Sequence, residues 1–241
     1  MPAGLMASMI SGTIFSASTE DDRHFLNGLL WKYEKDIFSV VATDGRRLAL
    51  ASTGKIKIKK DFKIIVPSKI LNELVKFIKS ADIEDKEEVL VGLSSNQIGF
   101  KIAKTVFISR LIEGNFPAYE QIIPKTREFS VEINTPKLVG VTKRAAICSN
   151  ERSGAVKYTL KKGMLIVNSS SQTMDFEDEL EVDYKGKDFQ VSFNPKFILD
   201  ILKNVGEQNI ILDFNTPATP VMARIPGNED FTYIVMPLRT Q

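Results

Sequence analysis

Lysines repeated at one spacing are the side chains most suited to contacting a negatively charged partner. Lys69 and Lys76 stand seven residues apart, and so do Lys196 and Lys203, in two segments with the shared pattern basic–apolar–apolar–x–acidic–apolar–apolar–basic. Seven residues are about two helical turns, so each pair lies on one helix face, opposite an apolar stripe. Such a face could contact DNA phosphates. An ordinary solvated face is the other interpretation, and both remain open at this point.

The charge available for such contacts is modest. A third predicted helix adds Lys137 and Arg144, but Glu73 and Asp200 dilute the first two helices. The whole chain has 32 basic and 30 acidic residues in 241, a net charge of +2. Phosphate contacts are sequence-independent and weaken steeply with salt. The pattern therefore favours loose tracking of a DNA backbone over base readout, for which no helix-turn-helix or zinc-finger signature is present.

Few residues could carry catalysis. His24 is the only histidine, so it has no second histidine as a partner. Cys148, the only cysteine, is predicted on the apolar face of a helix as a buried structural thiol. The acidic runs 82–88 and 175–181 are interpreted as solvated faces. The sequence has no Cys/His spacing typical of metal ligands and no Gly-rich phosphate-binding loop. The sequence predicts a protein that is not an enzyme and has no metal and no cofactor, although carboxylates that only folding brings together are invisible here.

The same features bear on location. A single cysteine excludes an intrachain disulfide framework and fits a reducing compartment. The sequence contains no run of about 18 apolar residues, the length that a transmembrane helix needs. Residues 1–17 lack a basic n-region and predict an amphipathic helix instead of a signal peptide. We therefore expect a cytoplasmic protein without a membrane partner.

The elements that position these side chains are predicted to occur twice, at offsets of 127 to 134 residues. In the first half we expect a helix at 2–17, strands at 26–31 and 37–42, a hairpin strand at 46–51 after Asp44-Gly45, a helix from Lys69, and strands at 88–93, 97–102 and 105–112. In the second half we expect a strand at 128–133, a helix at 136–150, strands at 156–160 and 164–168, a helix from Lys196, and strands at 209–214, 221–225 and 231–238. The Pro-containing segment 113–128 is the natural linker. The prediction is an α+β protein with two domains, 1–124 and 125–241.

The two halves differ at their beginning. A strand precedes the helix at 136–150, whereas only Met1 precedes the helix that starts at Pro2. If the halves are true repeats, the first lacks its opening strand. We therefore expect the chain to be a fragment of a longer protein.

Five motifs, taken in order, resemble one protein family. They are 26–28 (LNG), 42–49 (ATDGRRLA), 114–119 (GNFPAY), 149–151 (SNE) and 233–239 (YIVMPLR). The chain resembles the bacterial DNA polymerase III beta subunit family, the replicative sliding clamps. The resemblance covers essentially the whole chain and matches the second and third of that family's three domains, without the N-terminal one.

The resemblance implies a fold and a function. The fold is the DNA-clamp (processivity) fold, in which each domain consists of paired βαβββ units and six domains form a ring lined by helices. A clamp of this kind is a non-catalytic accessory subunit that encircles double-stranded DNA without sequence specificity. It tethers the DNA polymerase III alpha subunit, the clamp loader and repair polymerases through short peptide motifs.

The resemblance also implies site residues. The partner-peptide pocket takes Leu26, Thr43, Gly45, Arg46, Arg47, Leu48, Pro117, Ile122, Asn194, Phe197, Val235, Met236, Pro237, Leu238 and Arg239. The DNA-facing residues are Arg23, His24, Phe25, Lys69, Lys76, Lys137, Arg144, Lys196 and Lys203.

Three departures from the family pattern concern ligand affinity and motif preference. Gln121 replaces a common arginine, Ser153 stands where some members have an aromatic residue, and the tail continues to Thr240 and Gln241.

Two assemblies remain open besides the usual ring of two three-domain chains. One is a standalone peptide-binding adaptor that does not encircle DNA, and the other is a ring of three two-domain chains.

Overall fold

The computed structural model describes residues 1–81, 83–149 and 154–239. The chain divides into two compact units, Met1–Ala118 and Tyr119–Gln241. The two units meet after residue 118, inside the predicted linker 113–128. The domain limit predicted from the sequence lies six residues later, after residue 124. Among the described residues, no helix is long and apolar enough to cross a membrane.

The first unit has two helices and two antiparallel sheets. Its elements are α1 (Ala3–Ile14), β1 (Gly28–Glu34), β2 (Ile37–Thr43), β3 (Arg47–Thr53), β4 (Phe62–Pro67), α2 (Ser68–Ser80), β5 (Leu90–Leu93), β6 (Gln97–Ile102) and β7 (Thr105–Arg110). Strands pair in the orders β4-β1-β2-β3 and β5-β6-β7. Before α1, Pro2 forms an antiparallel bridge with Glu88.

The second unit repeats this plan with two four-stranded sheets. Its elements are β8 (Phe129–Asn134), α3 (Thr135–Ile147), β9 (Val156–Lys161), β10 (Met164–Ser170), β11 (Asp175–Glu181), β12 (Phe189–Phe193), α4 (Pro195–Val205), β13 (Asn209–Phe214), β14 (Val221–Ile225) and β15 (Asn228–Val235). The orders are β11-β10-β9-β12 and β8-β13-β14-β15. The chain order β8-α3-β9-β10-β11 and β12-α4-β13-β14-β15 is a pair of βαβββ units, as the family resemblance implied.

Apolar side chains explain why these elements pack. In the first unit, Trp31 meets Phe38 and Phe100 edge-to-face, with ring centroids 5.3 and 5.7 Å apart. Edge-to-face packing of this kind adds about 0.5–1.5 kcal/mol beyond the area that is buried. Each lysine-bearing helix buries its apolar stripe, through Leu71, Leu74 and Ile78 in α2 and through Phe197, Ile198, Ile201, Leu202 and Val205 in α4. The predicted amphipathic character of both helices is confirmed.

Three strands and one side chain differ from the sequence-based expectations. β4 and β12 were not predicted, although they open the second βαβββ repeat of each unit. The run interpreted only as a solvated acidic face is strand β11, in which exposed and half-buried side chains alternate. The expectation of a buried Cys148 was wrong, because this residue is the C-cap of α3 and is half-buried.

Candidate functional site

The hairpin between β2 and β3 is the best-defined part of the predicted peptide pocket. Gly45 adopts φ +87°, a conformation that a Cβ would strain. The Thr43 hydroxyl donates to the Arg47 carbonyl oxygen (2.6 Å) and accepts from the Gly45 N–H (3.0 Å). The Asp44 carboxylate accepts from the N–H groups of Arg46 (2.8 Å) and Arg47 (3.0 Å). Side chains thus close the turn, and its conformation is set before any ligand arrives.

Arg47 is held under this turn. Its Nε donates to Asp44 Oδ2 at 3.0 Å, and its Nη2 donates to the Phe15 carbonyl oxygen at 2.7 Å. The guanidinium also lies over the Phe15 ring, 5.6 Å from the centroid. Only 8% of the residue is exposed. Arg47 therefore ties the end of α1 to the hairpin, while the neighbouring Arg46 is exposed.

The other predicted pocket residues of the first unit differ in accessibility. Leu26, Thr43 and Leu48 are buried, Gly45 is exposed, and Pro117 is half-buried beside the buried Phe116. Buried members of this set can shape a surface from beneath but offer little area themselves. Gly45 and Arg46 are the members that solvent reaches most readily.

The second unit contains a large cleft along the end of the chain. The cleft has a volume of about 1090 Å³, and Met236, Pro237, Leu238 and Arg239 all line it. The Leu238 N–H donates to the Ser192 carbonyl oxygen at 2.7 Å, which fixes the tail against β12. Met236 is 37% exposed despite its apolar side chain. A wall with an exposed apolar side chain and nearby polar groups is typical of a ligand cleft.

Several aromatic residues also line this cleft, and they were not predicted from the sequence. Phe129 stacks on Phe214 and meets Phe189 edge-to-face, with centroids 5.4 and 4.9 Å apart. Phe129, Phe189 and Tyr184 all line the cleft. Burial first, and then the negative charges of Asp188 and Glu128, raise the pKa of Tyr184, so its hydroxyl stays protonated and donates to the Lys187 carbonyl oxygen. No motif connects these residues, which come from three separate segments.

The remaining predicted pocket residues of the second unit have structural roles of their own. The Asn194 side chain accepts from the Lys196 N–H at 3.0 Å and so caps α4. Val235 and Phe197 are buried, and Ile122 is half-buried. Of this group, Asn194 and Ile122 retain exposed surface for a ligand.

The predicted DNA-facing helix residues are all solvent-exposed: Lys69, Lys76, Lys137, Arg144, Lys196 and Lys203. Two of them are paired with carboxylates. Lys76 Nζ lies 2.8 Å from Glu73 Oε1, and the Arg144 guanidinium donates to Asp178. The hydrogen bond from Arg144 is the main cause that lowers the pKa of Asp178. These two cations have to exchange a carboxylate for a phosphate in order to bind DNA.

Arg23, His24 and Phe25 lie in a short 3-10 segment, Asp21–Leu26, before β1. Arg23 Nη2 donates to the Asp44 carbonyl oxygen at 3.1 Å, so this predicted DNA-facing residue contacts the hairpin between β2 and β3. Phe25 is half-buried against Gly114, where an added Cβ would come within 3.0 Å of the Phe25 Cβ. His24 is exposed.

Some predicted features lie outside the described residues: Asn150 and Glu151 of one motif, Ser153, and the tail residues Thr240 and Gln241. Gln121 is described, and it is an exposed residue of a short 3-10 turn, Tyr119–Gln121. Within the described ranges, no group of three or more His, Cys, Asp or Glu residues could hold a metal ion.

Comparison with known families accounts for both units. The model of the DNA polymerase III beta subunit central domain matches residues 1–118, and the model of its C-terminal domain matches residues 120–239. The chain belongs to the DNA polymerase III beta subunit family. Its predicted membership and clamp fold are therefore confirmed.

Individual relatives agree with this membership. The beta sliding clamps of Haemophilus influenzae and Escherichia coli are each 30% identical over 240 residues, covering 99% of this chain and 64% of the relative. The chain therefore spans less than two thirds of the length of these curated relatives. A crystal structure of the DNA polymerase III subunit beta from Pseudomonas aeruginosa superimposes with a TM-score of 0.93 at 28% identity, covering 99% of this chain and 65% of that one. A DnaN sliding clamp from the same organism, bound to griselimycin, matches with the same TM-score.

Proposed function

We propose that this chain serves as part of a replicative sliding clamp, a non-catalytic subunit that tethers DNA polymerase III and other partners to DNA. The observation that carries the proposal is that two successive clamp-domain models match nearly the whole chain. A cytoplasmic, nucleoid-associated location follows from this function.

We propose that the tail cleft is the partner-binding site. Its proposed ligands are short peptide motifs of the DNA polymerase III alpha subunit, the clamp loader and repair polymerases. An exposed methionine in a cleft that aromatic side chains also line offers the adaptable apolar surface that large apolar peptide side chains need. The pre-closed hairpin of the first unit, with the exposed Gly45 and Arg46, is a separate proposed contact for partner peptides. Preorganised elements raise affinity because less conformational entropy is lost on binding.

A matched pair of methionines tests the cleft. A fluorescent peptide of the glutamine–leucine–phenylalanine type, and griselimycin as a competitor, serve as probes in anisotropy measurements. We expect Met236→Ala to weaken peptide binding by about 5- to 30-fold, equivalent to about 1–2 kcal/mol. Met174→Ala is the control, because Met174 is also exposed, at 47%, and does not line the cleft. Absence of binding by the unaltered chain, or an equal effect of both substitutions, would refute the assignment.

We propose that the exposed basic side chains of α2, α3 and α4 face duplex DNA. Lys196 and Lys203 flank the apolar stripe that anchors α4, and both are exposed. Their contacts should be sequence-independent and should weaken steeply with salt.

A charge-matched pair of variants tests this second site. Lys196→Glu/Lys203→Glu should abolish the weak binding of duplex DNA at low salt. Lys161→Glu/Lys162→Glu changes the charge equally at the exposed turn between β9 and β10 and should retain most of the binding. Equal losses in both variants would show a net-charge effect and contradict the helix-face assignment. Retention of peptide binding without DNA binding by the unaltered chain would favour the standalone adaptor.

A further inference from the structure

The first unit contains a second cleft, beside the strand β4. This strand ends the order β4-β1-β2-β3, so one of its sides is an edge of the sheet. The cleft has a volume of about 380 Å³. Residues of β4, of the turn between β5 and β6, and of the segment 111–116 that follows β7 line it. A cleft of this size with both polar and apolar lining suits a small ligand or a short peptide.

This β4 cleft is the counterpart of the tail cleft in the internal repeat. In the second unit, the tail is fixed by a hydrogen bond to the Ser192 carbonyl oxygen. At the equivalent position 127 residues earlier, the Ile65 carbonyl oxygen accepts from the Ile112 N–H at 2.9 Å. Lys63 and Gln190, which are related by the same offset, line the two clefts. Both units therefore form a cleft at the same strand edge.

The edge of β4 has unpaired backbone groups at Lys63. Successive residues of a strand direct their N–H and C=O groups to opposite sides. Because the Ile65 carbonyl group points to Ile112 and away from β1, the backbone of Lys63, two residues earlier, faces the cleft side as well. Among the described residues, neither its N–H nor its C=O has a hydrogen-bond partner. An open edge of this kind accepts an added strand.

The segment that leads into this edge is strongly basic. Lys59, Lys60 and Lys63 form a lysine cluster, and these exposed side chains have no carboxylate partner in the part of the chain that the structure describes. Lys63 also stands directly opposite Lys32 of β1. Like charges at opposite positions destabilise strand pairing, so the requirements of the sheet do not explain this lysine.

The segment before the cluster is held against the sheet. The Tyr33 hydroxyl accepts from the Ile58 N–H at 3.0 Å and donates to Asp36 Oδ1 at 3.0 Å. Lys57 Nζ lies 3.1 Å from the other oxygen of that carboxylate. Ile56 and Ile58 are half-buried, whereas the lysines beside them are exposed. The positive charge is therefore presented by an anchored segment.

We propose that the β4 cleft binds an extended acidic segment of a partner protein. The segment pairs with the backbone of Lys63 as an added strand and places its carboxylates beside the lysine cluster. Glu113 also lines the cleft, so the carboxylates of the partner belong at the lysine end.

A nucleic acid fits this site less well than a peptide. Its phosphates could pair with the lysines, but it cannot form a strand ladder with the open edge. Binding of single strands also relies on aromatic side chains that stack on the bases. Phe62, the aromatic residue of the segment, is half-buried and stacks on Tyr33, with ring centroids 6.4 Å apart. The inference goes beyond the proposed function, because it requires neither the tail cleft nor the basic helix faces.

Charge reversal on the full chain tests the proposal. The probe is a short fluorescent peptide with alternating glutamate and valine, followed by anisotropy at low salt. The unaltered chain should bind it saturably, and should bind the same peptide with glutamine in place of glutamate at least about tenfold more weakly. Lys59→Glu/Lys63→Glu should weaken binding of the acidic probe by at least about tenfold. Lys101→Glu/Lys104→Glu, an equal charge change at exposed residues of the β6–β7 hairpin, should retain most of the binding.

Probes with N-methylated backbones separate strand pairing from attraction between charges. Methyl groups on alternate backbone nitrogens remove the N–H groups along one edge of the peptide and leave its charge unchanged. One of the two alternate patterns should abolish binding, because only the edge that faces β4 needs its N–H groups. Far-UV circular dichroism confirms that each protein variant is folded.

Several results would overturn the proposal. They are the absence of saturable binding by the unaltered chain, equal losses in the two double variants, and binding that survives both patterns of N-methylation. Tighter binding of a single-stranded oligothymidylate, lost in Lys59→Glu/Lys63→Glu, would assign the cluster to nucleic acid instead. Met236→Ala should leave binding of the acidic probe unchanged, and a loss there would place the probe in the tail cleft.

Discussion

Replacement of Arg47 by alanine should destabilise the first unit, because this side chain connects two separate elements. The substitution removes a charge-assisted hydrogen bond to Asp44 (3.0 Å), a second bond to the Phe15 carbonyl oxygen (2.7 Å) and a cation–π contact. Hydrogen bonds to charged groups contribute about 1.5–3 kcal/mol each, and a cation–π contact adds about 0.5–1 kcal/mol.

The size of the effect is limited by what Asp44 retains. Its carboxylate still accepts from two backbone N–H groups, and its side chain is 18% exposed, so water can solvate the abandoned oxygen. We therefore expect Arg47→Ala to lower the free energy of unfolding by about 2–4 kcal/mol, less than the sum of the lost contacts. Arg47→Lys should also destabilise, since an ammonium group cannot span both acceptors as the guanidinium fork does.

Urea unfolding followed by tryptophan fluorescence measures this effect. Trp31 is the only tryptophan, and it is buried in the core of the first unit, so its emission reports the unfolding of that unit. Arg46→Ala is the control, because it removes the same charge from the adjacent exposed position and should change the free energy of unfolding by less than about 0.5 kcal/mol. Equal destabilisation by the two substitutions would refute the structural role of Arg47.

Two further predictions concern single contacts. Arg144→Gln should raise the pKa of Asp178 toward its ordinary value of 3.8, as measured by carboxyl NMR titration. In the unaltered chain, the stabilisation from this ion pair is fully present above pH 3.8 and is lost as the pH falls through the lowered pKa of Asp178. An unchanged pKa would contradict the pairing. Gly28→Ala should cost about 1–3 kcal/mol in urea unfolding, because the new Cβ would lie 2.6 Å from the Val66 carbonyl oxygen. Gly92→Ala meets nothing within 4 Å and should be close to neutral, so an equal cost at both glycines would exclude the steric explanation.

Elements with a strong local signal could be predicted from the sequence. Three predicted strands, Gln97–Ile102, Asn209–Phe214 and Val221–Ile225, have the same bounds in the structure. The Asp44-Gly45 turn was predicted because glycine readily adopts the positive φ that the turn needs. The two lysine helices were predicted because their apolar residues repeat at helical spacing.

Elements whose stability comes from distant partners were missed. β11 carries so many carboxylates that no apolar alternation is evident, and it is a strand because it pairs with β10 along its whole length. β4 and β12 are short and gain their order from pairing with β1 and β9. Pairing energy between strands depends on the partner's position, which a local sequence pattern does not contain.

The candidate site shows the same division. The family motifs, the turn chemistry at Gly45 and the basic edges of the helices could be recognised without a structure, because each depends on residues close together in the chain. Tertiary packing was needed to show that Arg47 is tied to Phe15, that Arg23 reaches the Asp44 carbonyl group, and that Phe129, Tyr184 and Phe189 line the same cleft as Met236. These contacts join residues far apart in the chain, and only the packing of the helices and sheets brings such residues within reach.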